Sequence, residues 1–88
     1  MKPVLMFVMK SCPYCKQALR WMEELRIEDD RYNGVEVTII DETLQPDVAN
    51  QYDYYLVPTY FVDGLKVHEG VVTKDIVRSV FERSLDNN

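Results

Sequence analysis

Short apolar runs alternate along this chain with stretches of helical periodicity. Residues 4–9 form a continuous apolar run, the mark of a strand buried on both faces. Tyr14, Ala18, Met22 and Leu25 then recur at helical spacing, with Cys15 and Leu19 beside them. Pro13 suits the first helical position, where its missing N–H would be unpaired anyway. This helix is expected to end near residues 26–28, before a polar turn over residues 29–34. Residues 35–41 are rich in β-branched side chains and read as a second strand. Thr43 is placed to cap a short helix with Pro46 in its first turn and Leu44, Val48, Tyr52 and Tyr55 as its apolar stripe. Residues 59–62 and 65–69 flank Asp63-Gly64, a two-residue hairpin signal, and Gly70 ends the hairpin. Thr73 caps a last helix whose buried face is Ile76, Val77, Val80, Phe81 and Leu85. Trp21, Phe7, Phe61 and Phe81 are expected in the core.

The predicted order is β-α-β-α-β-β-α. Its first β-α-β unit requires parallel strands joined by a right-handed crossover, and the hairpin adds two antiparallel strands. The sum is an α/β fold with a four-stranded mixed sheet and helices on both faces. The 88 residues show no repeat or linker and form one domain, residues 1–88. At this size most apolar positions are needed for packing.

Composition narrows the function classes. With 47% hydrophobic and 28% charged residues the chain is globular, and a net charge of −5 argues against nucleic acid as a partner. The charge is uneven. Residues 1–27 carry five cations against two acids, a net of +3, which leaves −8 for the rest. Two readings fit this basic third: a solvated helix face, or a field favouring a thiolate and an anionic substrate. No stretch approaches the length of a membrane span. The N-terminal apolar run is at the short limit for an export signal and lacks a small-residue cleavage site. A cytoplasmic monomer, with its thiols mostly reduced, is therefore expected.

The only cysteines, Cys12 and Cys15, flank two residues at the start of the first predicted helix. Two thiols so spaced can close a disulfide and reopen it by thiolate exchange. They are too few for the disulfide framework of a secreted scaffold. C-x-x-C is also half of a zinc site, but only His68, on the last strand, remains as a further ligand of that kind, and no metal is expected. At the N-cap, Cys12 would meet the free N–H groups of the first turn and the helix dipole, which favour negative charge on its sulfur. Cys15, one turn inward, would stay a protonated, less exposed thiol. Lys10 and Lys16 are placed to meet an anionic substrate group, or to be solvated surface lysines.

A C-x-x-C opening the helix of a βαβ unit reads as a thioredoxin-like redox motif. Cys12-Pro13-Tyr14-Cys15 resembles, further, the active-site sequence of the dithiol glutaredoxins, and Val57-Pro58 before a strand, then Asp63-Gly64 and Gly70, resemble their second half. The resemblance covers nearly the whole chain. It implies a thioredoxin-like fold and a dithiol–disulfide oxidoreductase acting on disulfide-containing or glutathionylated proteins. It implies no permanently bound cofactor, with glutathione as reducing cosubstrate. Cys12 and Cys15 would be catalytic. Lys10, Pro13, Tyr14, Val57, Pro58, Gly70 and Thr73 would contact the substrate, with Pro58 in the cis form facing Cys12 and the Thr73 helix start holding a carboxylate. The chain departs from glutaredoxins on their glutathione-binding surface. Met9 stands in place of a basic residue, Leu56 in place of a threonine, Gly70-Val71 in place of paired glycines, and Thr73-Lys74 in place of Ser/Thr-Asp. The alternatives are a thioredoxin-like reductant served by a protein donor such as thioredoxin reductase, and a non-catalytic thioredoxin-fold binding module. The cluster Tyr52-Asp53-Tyr54-Tyr55 would then be a protein-docking surface.

Overall fold

The computed structural model describes residues 1–86; the last two positions of the expected 1–88 domain lie outside the described residues. The first apolar run forms strand β1 (Val4–Val8), and its side chains alternate between two cores. Val4, Met6 and Val8 enter the larger core, while Leu5 and Phe7 face the smaller. Strand β2 (Val37–Asp41) lies parallel to β1, with Val4 opposite Val37 and Val8 opposite Asp41. Strand β3 (Thr59–Val62) pairs antiparallel with the other side of β1, and β4 (Leu65–Glu69) pairs antiparallel with β3. The order β2-β1-β3-β4 is the mixed four-stranded sheet that the pattern predicts.

Helices α1 (Pro13–Glu28) and α3 (Lys74–Leu85) cover one face. Cys15, Ala18, Met22 and Leu25 of α1 share the larger core with Val77, Val80 and Phe81 of α3 and with Tyr60 of β3. The one-turn helix α2 (Pro46–Ala49) covers the other face, where Ala49 packs with Phe7, Ile40 and Phe61. Among the described residues no helix is long and apolar enough to cross a membrane.

Several local expectations need correction. Residues 29–34 are not a plain turn: Asp30–Gly34 forms a 3₁₀ turn that buries Tyr32 against Phe81. Arg26 holds this turn by donating to the carbonyls of Tyr32 and Val35 at 2.6 and 3.1 Å. Because the Val35 N–H closes on the Tyr32 carbonyl, β2 starts at Val37 rather than at residue 35. Thr43 does not cap α2. Its N–H and hydroxyl both donate to Asp41 Oδ1, and Gln45 takes the cap position before Pro46. The helix is too short to bury Leu44 or Tyr55, which are exposed. Tyr14 is exposed as well, and Cys15 takes its place in the buried stripe of α1. Trp21 is half-buried at the rim of the larger core. Thr73 does cap α3, its hydroxyl oxygen accepting the Ile76 N–H at 3.2 Å.

Candidate active site

Pro13 opens α1 at the one position where a residue without an N–H costs the helix nothing. Cys12 is thereby the N-cap, with extended backbone at φ −80° and ψ 116°. Its N–H donates to the Met9 carbonyl at 3.0 Å, and its own carbonyl accepts the Lys16 N–H at 3.1 Å. The backbone is fixed on both sides of a half-exposed thiol. Cys15 lies one turn further on, 1% exposed. Both thiols are free, and they lie close together. Burial pushes the Cys15 thiol from its ordinary 9.0 up to about 12; the neighbouring Cys12 and the charge of Glu42 add to the rise, and a hydrogen bond with the Met9 backbone opposes it.

The second half of the site comes from the loop before β3. The Val57–Pro58 peptide is cis, and the Cys12 sulfur lies 4.0 Å from the Val57 carbonyl oxygen. Gly70, at φ +91°, donates its N–H to the Pro58 carbonyl at 2.8 Å, tying the end of β4 to the proline. The adjacent Glu69 carboxylate accepts the N–H groups of Tyr55 and Leu56, the latter at 3.0 Å, while Lys66 Nζ holds its other oxygen at 2.7 Å. The Lys66 ammonium first, and then these amides, hold the Glu69 carboxyl down at about 2. Tyr14, Leu56 and Val71 are exposed around this junction.

Cys12, Cys15, Val57, Pro58 and Gly70 are thus brought together, with Pro13 and Tyr14 flanking the thiol. Lys10 stands beside them: its backbone N–H donates to Asp41 Oδ2 at 3.1 Å, and it lines a cavity of about 450 Å³ with Cys15, Lys16 and Leu44 on the β2 side of α1. Thr73 stands three residues after Gly70 with its hydroxyl engaged in the cap. Tyr52 and Tyr54 pack their rings on Phe7 at 5.0 and 4.6 Å, so of the three tyrosines in the cluster only Tyr55 is exposed. His68 Nε2 pairs with the Val71 carbonyl at 2.8 Å. Among the described residues no group of three or more His, Cys, Asp or Glu is placed to hold a metal ion. Glu69, absent from the residues expected at the site, is the structure's addition to it.

Residues 4–82 match the thioredoxin domain family. The chain belongs to the thioredoxin family. It is 29% identical over 80 residues to a thioredoxin of Methanocaldococcus jannaschii, a match spanning 91% of this chain and 92% of that one. Among solved structures, a mutant thioredoxin from Halobacterium salinarum superposes with a TM-score of 0.69 at 24% identity, covering 99% of this chain and 77% of the other. The oxidised thioredoxin of Plasmodium falciparum gives 0.70 at 16% identity, covering 93% and 79%. At these identities the two structures establish a shared thioredoxin fold. The match reaches the thioredoxin family as a whole and does not reach down to the glutaredoxin subtype that Cys12-Pro13-Tyr14-Cys15 leads one to expect.

Proposed function

We propose that this thioredoxin-family protein is a dithiol–disulfide oxidoreductase that reduces protein disulfides and is re-reduced by a protein donor. One observation carries the reading: a half-exposed N-cap thiol beside Val57 and cis-Pro58, with a buried second thiol one turn behind and close to it. Free N–H groups and the helix dipole favour an anion at an N-cap, so Cys12 supplies the attacking sulfur. It displaces one sulfur of the substrate disulfide and holds the other in a mixed disulfide. Cys15 then attacks the Cys12 sulfur. The second substrate thiol leaves with the Cys15 proton, and the pair is left as a disulfide, two electrons poorer. Two electrons from the donor restore it.

The surroundings favour a polypeptide over glutathione. The rim of Tyr14, Leu56 and Val71 is apolar and exposed. The Leu56 amide is already engaged by Glu69. Lys74, where glutaredoxins carry an acid, is bound to Glu24 at 3.1 Å and to Glu28, at the far end of α1. The relative from Methanocaldococcus jannaschii bears the name thioredoxin.

The test has two arms. In one, dithiothreitol drives the reduction of insulin; in the other, glutathione, glutathione reductase and NADPH drive the turnover of a glutathionylated peptide. The expected result is insulin reduction accelerated about tenfold or more and a peptide arm at the uncatalysed rate. Fast peptide turnover would assign glutathione as the donor. Acceleration in neither arm would refute the enzyme and leave a binding module.

A further inference from the structure

A groove of about 520 Å³ runs from Tyr14 along α1, walled on its other side by Val71 and Val72. Trp21 lines its far part together with Gln17 and Arg20, and Arg20 is the one charged side chain among the lining residues. Arg20 Nη2 donates to Gln17 Oε1 at 2.6 Å, which draws the guanidinium back one turn toward Cys12. None of the ion pairs among the described residues uses Arg20. The acids of the same helix are engaged or lie beyond it: Glu24 and Glu28 are bound by Lys74, and Glu23 sits on the next turn away from the thiol. A guanidinium steadied by a neutral amide keeps most of its donors free, in a fork that matches a carboxylate.

We infer that Arg20 is a specificity residue that reads an acidic side chain of the disulfide-bearing polypeptide lying in this groove. The inference rests on the oxidoreductase reading above and names the substrate class for it. Arg20 is eight residues past Cys12, about 12 Å along the helix, and its bond to Gln17 shortens that reach by about one turn. An extended polypeptide advances about 3.3 Å per residue, so the acidic residue falls about two to four positions from the attacked cysteine. A neutral segment finds the same apolar contacts with Tyr14 and Val71 and no partner for the guanidinium.

The test uses two disulfide-linked homodimers of a short peptide with a central cysteine. One peptide carries glutamate three residues to either side, the other glutamine. The pre-reduced protein supplies both electrons: Cys12 displaces one peptide thiol, Cys15 displaces the second, and the Cys12–Cys15 disulfide forms. Each rate is divided by that of dithiothreitol on the same peptide. We expect the glutamate peptide to be reduced about three- to fivefold faster at low salt, with the advantage shrinking at about 0.5 M salt. Arg20→Gln should bring the ratio of the two rates to about one. Equal rates with the wild-type protein would overturn the inference, as would a glutamate preference that survives Arg20→Gln. Reduction of neither peptide would overturn the oxidoreductase reading itself, and this inference with it.

Discussion

At the scale of the residue, the site divides labour between two chemically identical side chains by burial. Cys12 at the N-cap is half-exposed; Cys15, on the core face of α1, is 1% exposed and its thiol is pushed up to about 12, chiefly by burial. On the proposed function, that asymmetry makes Cys12 the group a substrate meets and Cys15 the group that waits. It also has a consequence for stability. A thiol whose folded value lies above its unfolded one binds its proton more tightly in the native state. Its contribution is therefore fully present below about 9 and is lost as the pH rises from there toward about 12. The urea midpoint of the reduced protein should fall between pH 8 and pH 10, and Cys15→Ser should fall less over the same interval. The difference between the two isolates Cys15 from the tyrosines and lysines that titrate nearby. An equal fall in both proteins would contradict the assignment.

At the scale of the element, the loop into cis-Pro58 is held from β4 as well as from within, where the Thr59 hydroxyl donates to the Leu56 carbonyl. Gly70 ties the end of the hairpin to Pro58, and Glu69 holds the amides of Tyr55 and Leu56. Gly70 carries this arrangement because it sits at φ +91°, and a Cβ there would stand 3.3 Å from the Leu56 side chain. Gly70→Ala should cost about 1–2 kcal/mol by urea denaturation and slow disulfide reduction, since both the strained backbone and the displaced Leu56 loop act on the proline. A variant of unchanged stability and activity would mean that the hairpin end does not position the loop. Much of this level was legible beforehand. The apolar run of β1, the Asp63-Gly64 hairpin, the Pro13 start of α1 and the Thr73 cap are local signals, and local chemistry decides them. The errors arise where a distant partner decides. Tyr32 lies in a polar hexapeptide, yet it is buried because Phe81 of α3 and Arg26 of α1 wait for it. Thr43 has the chemistry of a cap but finds Asp41 first. The hold of Glu69 on the loop gave no signal, because it depends on a segment 13 and 14 residues earlier returning to the end of β4.

At the scale of the whole molecule, the sheet order β2-β1-β3-β4 puts β1 at its centre and brings the C-terminal end of β1, with the α1 start, beside the β3 entry. That is why Cys12 meets the Val57 carbonyl 45 positions later: the topology, not the tetrapeptide, assembles the site. The basic character foreseen for the first third is real in sequence but split in space. Lys10 and Lys16 line the cavity on the β2 side of α1 and Arg20 the groove beside Tyr14. The thioredoxin family match covers residues 4–82, and the four departures from glutaredoxins, at Met9, Leu56, Val71 and Lys74, fall within it. The claim on which everything else depends is the order of the two thiols. It is tested by mixing Cys12→Ser and Cys15→Ser separately with a disulfide-bonded substrate such as insulin and weighing the products by intact-mass spectrometry. We expect a covalent substrate adduct on Cys15→Ser, through Cys12, and none on Cys12→Ser. An adduct on Cys12→Ser, or no adduct on Cys15→Ser, would contradict it.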